Sequence, residues 1–373
     1  MNLRIAVIET EHFEVLDPVI HLLLQIGAEI HVLCSRQVNK FSEFKLDSRL
    51  NWHFNQSEIS PRQQLLQFKQ VIASLNIDRL LLLTVSNNHL FYSRLKKKGI
   101  KVVLGIHDIN SYLIPQIKFS LRGLIRHFSK KILFNSADEY LVFSNKQALT
   151  LQAETKKNVH HIPPSLFHSV QFLPRSYSKG QELLVVIPGS VDIKRRNYEE
   201  VFAFIEEAEN LHLNARVVIL GAPPVDQLET FRARVNSIRS TQNGRIDFFE
   251  EQVPTDVFFE YLRKAHFIWS PVQKVFDNDG ESWETYGVTK ISGSVYDAIR
   301  VGRPLILPDH YVVDSPLLKA GIFYRSVTDI CSILQFVASH PEQYAVYQLQ
   351  ALNASMDYVP EKWVASIENI FKT

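Results

Sequence analysis

The chain has 373 residues, of which 46% are hydrophobic and 21% are charged. This composition describes a globular protein, not a disordered or fibrous one, and the length is comfortable for two domains of common size. The formal net charge of +2 argues against an extended nucleic-acid-binding surface, so we expect no nucleic-acid partner.

The two cysteines, Cys34 and Cys331, each lie within an apolar segment. This placement favours buried, reduced thiols over a disulfide. Neither belongs to a CxxC or Cys/His cluster, so we expect no metal site. The first residues lead directly into an apolar strand without a signal-peptide pattern, and no apolar run is long enough to cross a bilayer. We therefore expect a cytoplasmic protein.

The first half of the chain alternates strand-like apolar runs with segments of helical spacing. Residues 18–26 have helical spacing, and Ser60 before Pro61 predicts another helix start with Ser60 as its N-cap. The predicted strands are short and continuously apolar, at residues 3–10, 29–34, 79–84, 101–106, 139–143 and 158–162. Strands of this kind, separated by helices, predict a doubly wound parallel sheet.

The pair Pro163-Pro164 interrupts the alternation, and residues 168–181 have no clear periodicity, which indicates a linker. The alternation then resumes, with predicted strands at 183–188, 216–221, 245–249, 266–271 and 304–308 and helices at 197–210, 225–240 and 255–265. We therefore predict an α/β protein with two Rossmann-like domains, residues 1–175 and 181–357, facing a cleft. The last helix has one apolar face, and we expect residues 358–373 to pack back on the first domain.

Ligands of such sheets bind beyond the carboxyl ends of the strands. Residues 281–308 read as a polar loop, a short helix and an apolar strand, and the candidate ligand-binding residues here are Lys290, Ser292, Gly293, Ser294 and Asp297. The free N–H groups of a helix start suit a phosphate, the lysine adds positive charge, and the aspartate one turn later suits ribose hydroxyls. A capped surface helix without a ligand has the same pattern.

A second candidate site follows the first strand of the second half. Its residues are Gly189, Ser190, Lys194, Arg195 and Arg196. Three cations before a helix oppose its dipole unless an anion occupies the site. The alternative is a solvated basic turn. Neither GxGxxG nor GxxxxGK[ST] is present, so the chain does not look like a dehydrogenase or a P-loop NTPase.

The pair His107-Asp108 ends a buried strand of the first half and is a candidate catalytic pair. A histidine at this position can donate to a sugar hydroxyl or act as a base. A structural pair that fixes the following loop is the alternative. The acidic loop that contains Glu281 and Glu284 could bind hydroxyls or a cation, but its spacing is not that of an EF-hand. The sequence favours the alternative, which is that these side chains are partly a solvated face.

Residues 118–134, from Lys118 to Phe134, predict a basic amphipathic helix. Its apolar residues fall on one face, and Arg122, Arg126 and Lys130 form a neighbouring stripe. Such a helix can rest on an anionic membrane surface. An ordinary helix that packs its apolar stripe inward is more common, and the sequence favours that interpretation.

Several of these motifs occur together in one known family. Gly189 ends a strand and Arg196 precedes the next helix, while Asp297-Ala298 leads to Gly302-Arg303-Pro304 and an apolar strand. This half resembles the nucleotide-binding domain of GT-B glycosyltransferases, in particular the large retaining group that uses nucleotide sugars. The segments HFIWSP and IHD are similar to two further strands of that group.

The resemblance has specific departures. Thr289 and Asp297 stand where the group has two glutamates, Ser190 stands where it has an arginine, and residues 10–14 replace a Gly-Gly pair. Retention or inversion at the transferred sugar therefore stays open.

The resemblance implies a nucleotide-sugar donor bound to the second domain. Its diphosphate would contact Arg196, Lys290 and residues 292–294, its ribose would contact Asp297, and Glu281 and Tyr286 of the donor loop would complete the site. His107 would approach the transferred sugar. No metal or cofactor is needed, because cations and a helix N-terminus neutralise the leaving phosphate.

The function predicted from this resemblance is transfer of a sugar to a glycan or lipid-linked acceptor, in cell-surface polysaccharide or glycoconjugate synthesis. A nucleotide-sugar epimerase of the same architecture and a non-catalytic nucleotide-sugar-binding module are the alternatives. In addition, the basic helix predicts peripheral contact with the inner face of the membrane.

Overall fold

The computed structural model describes residues 3–54, 61–97, 99–117, 120–241 and 245–372. The proposed N-cap Ser60 and the first two residues of the predicted basic helix, Lys118 and Phe119, lie outside this part of the chain. The chain divides into two compact units. The first comprises Met1–Ser165, Asp277–Ile291 and Pro360–Thr373, and the second comprises Leu166–Phe276 and Ser292–Val359.

The first unit is built on a seven-stranded parallel sheet with the order β3-β2-β1-β4-β5-β6-β7. Its strands are β1 (Arg4–Glu9), β2 (Glu29–Cys34), β3 (Leu50–Phe54), β4 (Arg79–Leu82), β5 (Lys101–Gly105), β6 (Glu139–Val142) and β7 (Val159–His161). Their side chains are mostly buried, as a parallel sheet covered on both faces requires. The alternation of the sequence predicted all of these strands except β3.

The first chain segment contributes seven helices to this unit within the described residues. They are α1 (Phe13–Gln25), α2 (Arg36–Phe41), α3 (Pro61–Ser74), α4 (His89–Ser93), α5 (Asn110–Leu113), α6 (Leu121–Ser136) and α7 (Asn145–Gln152). Helix α1 begins five residues before the predicted start, so Pro18 lies inside it. A proline there removes one backbone hydrogen bond, and burial of Val15, Leu16, Val19 and Ile20 offsets that loss.

The second unit has a six-stranded parallel sheet with the order β10-β9-β8-β11-β14-β15. Its strands are β8 (Leu183–Pro188), β9 (Ala215–Leu220), β10 (Ile246–Phe248), β11 (Phe267–Trp269), β14 (Leu305–Pro308) and β15 (Gly321–Tyr324). Its helices are α8 (Tyr198–Asn210), α9 (Val225–Thr241), α10 (Thr255–Lys264), α11 (Gly293–Val301), α12 (Val327–Ser339) and α13 (Pro341–Ser355). Single 3₁₀ turns lie at Ser169–Gln171, Ser315–Leu318 and Met356–Tyr358.

A small two-stranded sheet, formed by β12 (Val275–Asp277) and β13 (Trp283–Thr285), leads into a segment that the sequence assigned to the second domain. The structure places Asp277–Ile291 in the first unit instead. Hydrogen bonds explain this placement. The backbone N–H of Ile109 and the side-chain amide of Gln147 both donate to the carbonyl of Thr289, at 3.1 Å each. We call Asp277–Ile291 the returning segment.

The last helix, α14 (Pro360–Phe371), also belongs to the first unit. It packs against α1, and Trp363 makes an edge contact with the ring of His161, with ring centroids 5.2 Å apart. Ile367, Ile370 and Phe371 are fully buried. The apolar face of the last helix therefore packs on the first unit, as the sequence predicted for residues 358–373.

Candidate functional site

The strand order of the second sheet identifies the place where a ligand is expected. Strand β8 is the first of this unit and lies between β9 and β11, so the order reverses between β8 and β11. Doubly wound sheets bind ligands at such a switch point, beyond the carboxyl ends of the strands. The loop after β8 begins at Gly189, and the loop after β11 begins at Ser270.

Two glycines allow the backbone to pass closely at this point. Gly189 has φ +96°, a conformation that glycine adopts without strain. A Cβ atom at Gly221, directly after β9, would lie 2.1 Å from the carbonyl oxygen of Gly189. Both positions therefore require glycine, and they fix the path of the loop that carries the basic residues.

Arg196 is the basic residue that this loop turns toward Gly189. Its Nη2 donates to Ser294 Oγ at 3.1 Å, and Ser294 Oγ donates to the carbonyl of Pro188 at 3.1 Å. A Cβ atom at Gly189 would lie 2.7 Å from the same Nη2. The Nη1 atom of Arg196 is buried and has no hydrogen-bond partner. A buried N–H of a charged group without an acceptor indicates a place for an anion.

Tyr198 stands beside this guanidinium. Burial raises the pKa of its hydroxyl, and the positive charge of Arg196 offsets part of that rise. The Arg196 guanidinium and the backbone of Asp192 both approach the Tyr198 hydroxyl and help to offset that rise, but neither contact meets the geometry of a hydrogen bond. The Tyr198 hydroxyl is thus a second buried donor without a partner, beside the Nη1–H of Arg196, and it strengthens the case for a ligand acceptor here.

The other two cations of the loop have different surroundings. Arg195 forms an ion pair with Asp192 at 3.1 Å, and its guanidinium lies 5.4 Å from the ring centre of Phe276. Lys194 and Ser190 are exposed. Asn197 caps α8, whose first turn carries two glutamates that complement the helix dipole. Of the three predicted cations, Arg196 is the one that the structure brings to Gly189 and Ser294.

Helix α11 begins at the same edge of the sheet, as the sequence predicted. Ser292 is its N-cap residue, but its hydroxyl pairs with that of Ser270 at 2.9 Å and does not cap the helix. Its N–H donates to the hydroxyl of Tyr311 at 3.0 Å. Gly293 is exposed, and a Cβ atom there would have no atom within 4 Å. The space beside Gly293, at the start of α11, is therefore open.

Asp297 lies one helical turn after Gly293 and so on the same face of α11. Its side chain is partly exposed. The structure thus brings together Gly189, Arg196, Ser292, Gly293, Ser294 and Asp297 within the second unit. Their role in donor binding stays a prediction.

The first sheet has a corresponding switch point between β1 and β4. Glu9 at the end of β1 is fully buried and accepts from Thr84 Oγ1 at 2.7 Å and from the N–H groups of Glu11 and His12 at 2.7 and 2.8 Å. Burial raises the pKa of Glu9, and these neighbours offset part of the rise. The sequence did not identify this carboxylate, because Glu9 lies within an otherwise apolar segment and its partner Thr84 is 75 residues away.

His107 joins this network through Thr84. Its Nε2 lies 3.0 Å from Thr84 Oγ1 and 3.2 Å from the carbonyl of Leu83. Since a carbonyl only accepts, Nε2 is assigned the proton and Nδ1 the lone pair. Burial and the positive charge of His12 lower the pKa of His107 to about 3. His107 is therefore a neutral imidazole at neutral pH.

We expect the charge state of His107 to be visible by NMR. Its ring resonances in isotope-labelled protein should not titrate between pH 5 and 8, and His107→Gln identifies them by their loss. His12 is the internal comparison. Burial lowers its pKa, but the hydrogen bond and charge of Glu14, with Glu9 and Glu11, raise it overall to about 9. A His107 titration centred near pH 6.5 would contradict the assignment.

The remaining predicted site residues lie in the returning segment of the first unit. Lys290 forms an ion pair with Asp108, whose other oxygen accepts from Asn278 Nδ2 at 3.2 Å. Glu281 pairs with Arg126 at 2.5 Å and Lys130 at 3.1 Å. The contacts of Asp108 support its structural interpretation, and Glu281 is engaged in ion pairs within the first unit. A direct role of Lys290 in binding the donor diphosphate stays a prediction.

Two other residues of the returning segment are buried. Tyr286 is 5% exposed and is bridged through its backbone to Lys290. Glu284 accepts from the N–H of Ser111 at 3.0 Å and from the hydroxyl of Ser282 at 2.7 Å.

Among the described residues, no group of three or more His, Cys, Asp or Glu side chains is arranged to hold a metal ion. Both cysteines are buried free thiols, as predicted.

Comparison with solved structures identifies the fold. HepE from Anabaena, in complex with UDP, matches with a TM-score of 0.66 at 12% identity over 100% of both chains. The pneumococcal O-GlcNAc transferase GtfA, in complex with UDP and GlcNAc, matches with a TM-score of 0.64 at 9% identity over 100% of both chains. WaaG, a glycosyltransferase involved in lipopolysaccharide biosynthesis, matches with 0.61 at 15% identity over 97% of this chain and 99% of that chain.

These similarities confirm a GT-B glycosyltransferase-like fold with two Rossmann-like domains. No protein-family model matches the sequence, and no curated protein matches it either. At identities this low, the shared property is the fold.

The basic helix differs from the interpretation that the sequence favoured. In α6 the apolar stripe is exposed instead of packed inward, with exposed fractions of 78% for Leu121, 58% for Ile125, 59% for Phe128 and 47% for Ile132. The face that packs inward carries Ser129 and Leu133, together with the ion pairs to Glu281. Across the described residues, the helices are all too short or too polar to span a bilayer.

Proposed function

We propose that the protein is a glycosyltransferase that moves a sugar from a nucleoside-diphosphate donor to a glycan or lipid-linked acceptor. The observation that carries the proposal is Arg196, held against Gly189 and Ser294 with a buried N–H that lacks an acceptor. This group lies at the switch point of the second sheet, where doubly wound folds bind nucleotides. The fold is the one shared with HepE, GtfA and WaaG.

In this proposal the donor diphosphate lies between Arg196 and the first N–H groups of α11, near Gly293. These groups neutralise the charge that develops on the leaving phosphate, so the reaction needs neither a metal nor a cofactor. Asp297, one turn along the same helix face, accepts from the ribose hydroxyls. His107 stays the candidate catalytic residue, because the lone pair on Nδ1 of its neutral imidazole can accept a hydrogen bond from a sugar hydroxyl.

A thermal-shift screen of nucleoside diphosphates and nucleotide sugars tests the donor site, since a ligand of the folded state raises its apparent stability. Incubation of the best donor with candidate acceptors, with and without EDTA, then tests transfer. Isomerisation of the donor alone would indicate the epimerase instead. Donor binding without transfer, hydrolysis or isomerisation would indicate a binding module. Failure of every nucleotide to stabilise the protein would contradict all three.

We further propose that the protein works at the cytoplasmic face of the membrane, in polysaccharide or glycoconjugate synthesis. The exposed stripe of α6 supports this part of the proposal, and exposed Ile114 and Ile117 precede it in the chain. Arg122 and Lys131 on the same helix are exposed cations. A helix with an apolar face flanked by cations suits an anionic lipid surface.

We expect the protein to sediment with vesicles that contain anionic lipid, and we expect this binding to weaken as salt increases. The double variant Ile125→Ser/Phe128→Ser should reduce binding by at least about tenfold, because two large apolar side chains can no longer enter the lipid. Leu149→Ser is the matched control, since Leu149 is a 61% exposed residue of α7. Equal binding of the double variant and the control would contradict the membrane contact.

A further inference from the structure

A second group of unpaired polar atoms lies at the opposite edge of the second sheet, where the strands begin. His266 directly precedes β11, Arg303 lies two residues before β14, and Tyr344 faces them from α13. Their exposed fractions are 0%, 2% and 1%. We call these three residues, together with Arg175 of the linker, the basal cluster.

The tautomer of His266 follows from its backbone contact. Its Nδ1 accepts from the N–H of Leu184 at 2.9 Å, so Nδ1 carries the lone pair and Nε2 carries the proton. Burial and the charge of Arg175 lower the pKa of His266 to about 4, which agrees with a neutral ring. The carbonyl of Ser176 offsets part of this lowering, but it does not meet the geometry of a hydrogen bond, and Nε2–H is buried without a partner.

Arg303 brings a buried positive charge without a carboxylate. Its guanidinium donates to the carbonyls of Leu173 at 2.8 Å, Arg263 at 2.6 Å and Val301 at 3.3 Å. Its Nε–H is buried and has no partner. Burial lowers the pKa of Arg303, the Tyr344 hydroxyl raises it in part, and the like charge of Arg175 lowers it further. A buried cation is stabilised when an anion joins its hydrogen bonds.

Arg175 and Tyr344 complete the set. The Nε–H of Arg175 and the hydroxyl of Tyr344 are also buried without a partner. The backbone N–H of Arg175 donates to Gln348 Oε1 at 2.8 Å, which holds the linker against the helix that carries Tyr344. Burial raises the pKa of Tyr344, and the charges of Arg303 and Arg175 offset part of the rise. The side chain of Arg175 remains partly exposed, so the basal cluster is open to solvent on that side.

The basal cluster therefore presents four N–H or O–H donors and two positive charges, with no acceptor for those four donors among the described side chains. We infer that it binds a small oxyanion of the phosphate type. Such an ion offers acceptors in several directions and balances the paired guanidinium charges. This site is separate from the proposed donor site, because it lies at the edge of the sheet opposite Gly189 and Arg196.

The test is thermal unfolding of the full chain in dilute buffer with added inorganic phosphate, compared with sodium chloride at the same ionic strength. Phosphate should raise the apparent melting temperature of the second unit by about 2–4 °C when it is several-fold above its dissociation constant. Arg175→Gln should abolish this rise, and the variant should fold because Arg175 is partly exposed. Arg196→Ala should retain the rise, which separates the basal cluster from the donor site.

The variant Tyr344→Phe provides an independent test of phosphate binding at the basal cluster. Because the Tyr344 hydroxyl has no partner, its removal should not destabilise the protein without phosphate, but it should reduce the phosphate-dependent rise. Equal stabilisation by phosphate and chloride would overturn the inference. Retention of the rise in Arg175→Gln, or its loss only in Arg196→Ala, would also overturn it. Equal destabilisation by Tyr344→Phe in both buffers would show that bound water fills the basal cluster.

Discussion

Arg196→Ala is expected to weaken nucleoside-diphosphate binding by at least about 30-fold, because truncation of a buried, hydrogen-bonded charged partner typically costs about 2–5 kcal/mol. The guanidinium is held in place before a ligand arrives. Its Nη2 already donates to Ser294, and the loop backbone is fixed by the bond from the N–H of Asn197 to the carbonyl of Pro271, at 2.7 Å. Little conformational entropy is then lost on binding.

Isothermal titration with nucleoside diphosphate measures the effect, and Lys194→Ala is the matched control. Lys194 is an exposed cation of the same loop, so its removal changes the net charge equally but should reduce affinity less than about threefold. Arg196→Lys should recover only part of the affinity, because lysine lacks the planar fork. If Arg196→Ala and Lys194→Ala reduced affinity equally, attraction by the overall charge of the loop would explain binding without a built phosphate site.

How far the sequence predicted this site depends on the range of the contacts. Strand ends and helix starts have short, recognisable sequence patterns. Such local patterns identify four residues of the site, which are Gly189, Arg196, Ser292 and Asp297. Their common location then follows from the strand order, which the alternation of elements implies. Local pattern could not single out Arg196 among three adjacent cations. Arg196 is distinguished from its neighbours by the close approach of its guanidinium to Gly189, which only the three-dimensional structure shows.

The returning segment shows where local pattern fails. Residues 277–291 are polar and precede a helix of the second unit, so chain order predicted that they belong with it. Their placement is decided by contacts with residues more than a hundred positions away, such as the bond from Gln147 to Thr289. Glu9 was missed for a related reason, since its partner Thr84 is 75 residues distant. Hydrogen bonds of this range leave no periodic signal.

Helix α6 shows a different kind of failure. Its apolar stripe has the periodicity of a core-facing helix, and periodicity alone cannot distinguish burial in protein from exposure. The ion pairs of Arg126 and Lys130 with Glu281 hold one side of the helix against the rest of the first unit, while Arg122 and Lys131 remain exposed. The apolar side is consequently exposed.

Two glycines near the proposed donor site, Gly221 and Gly293, should differ in how substitution by alanine changes the stability of the protein. Gly221→Ala should destabilise the protein by about 1–3 kcal/mol or more, because its Cβ would lie 2.1 Å from the Gly189 carbonyl oxygen and the backbone would have to move. Gly293→Ala should leave stability unchanged or raise it by about 0.4–1 kcal/mol, since its Cβ meets no atom within 4 Å and the residue is helical.

Gly293→Ala should nonetheless weaken nucleoside-diphosphate binding by about tenfold or more, because the added methyl group occupies the space through which a phosphate reaches the first N–H groups of α11. Urea unfolding and isothermal titration on the same preparations separate the two effects. Leucine at position 293 should weaken binding further while the fold persists. If Gly293→Ala bound nucleoside diphosphate as tightly as the wild-type protein, the diphosphate would not lie against this helix start, and Arg196 alone would have to hold it.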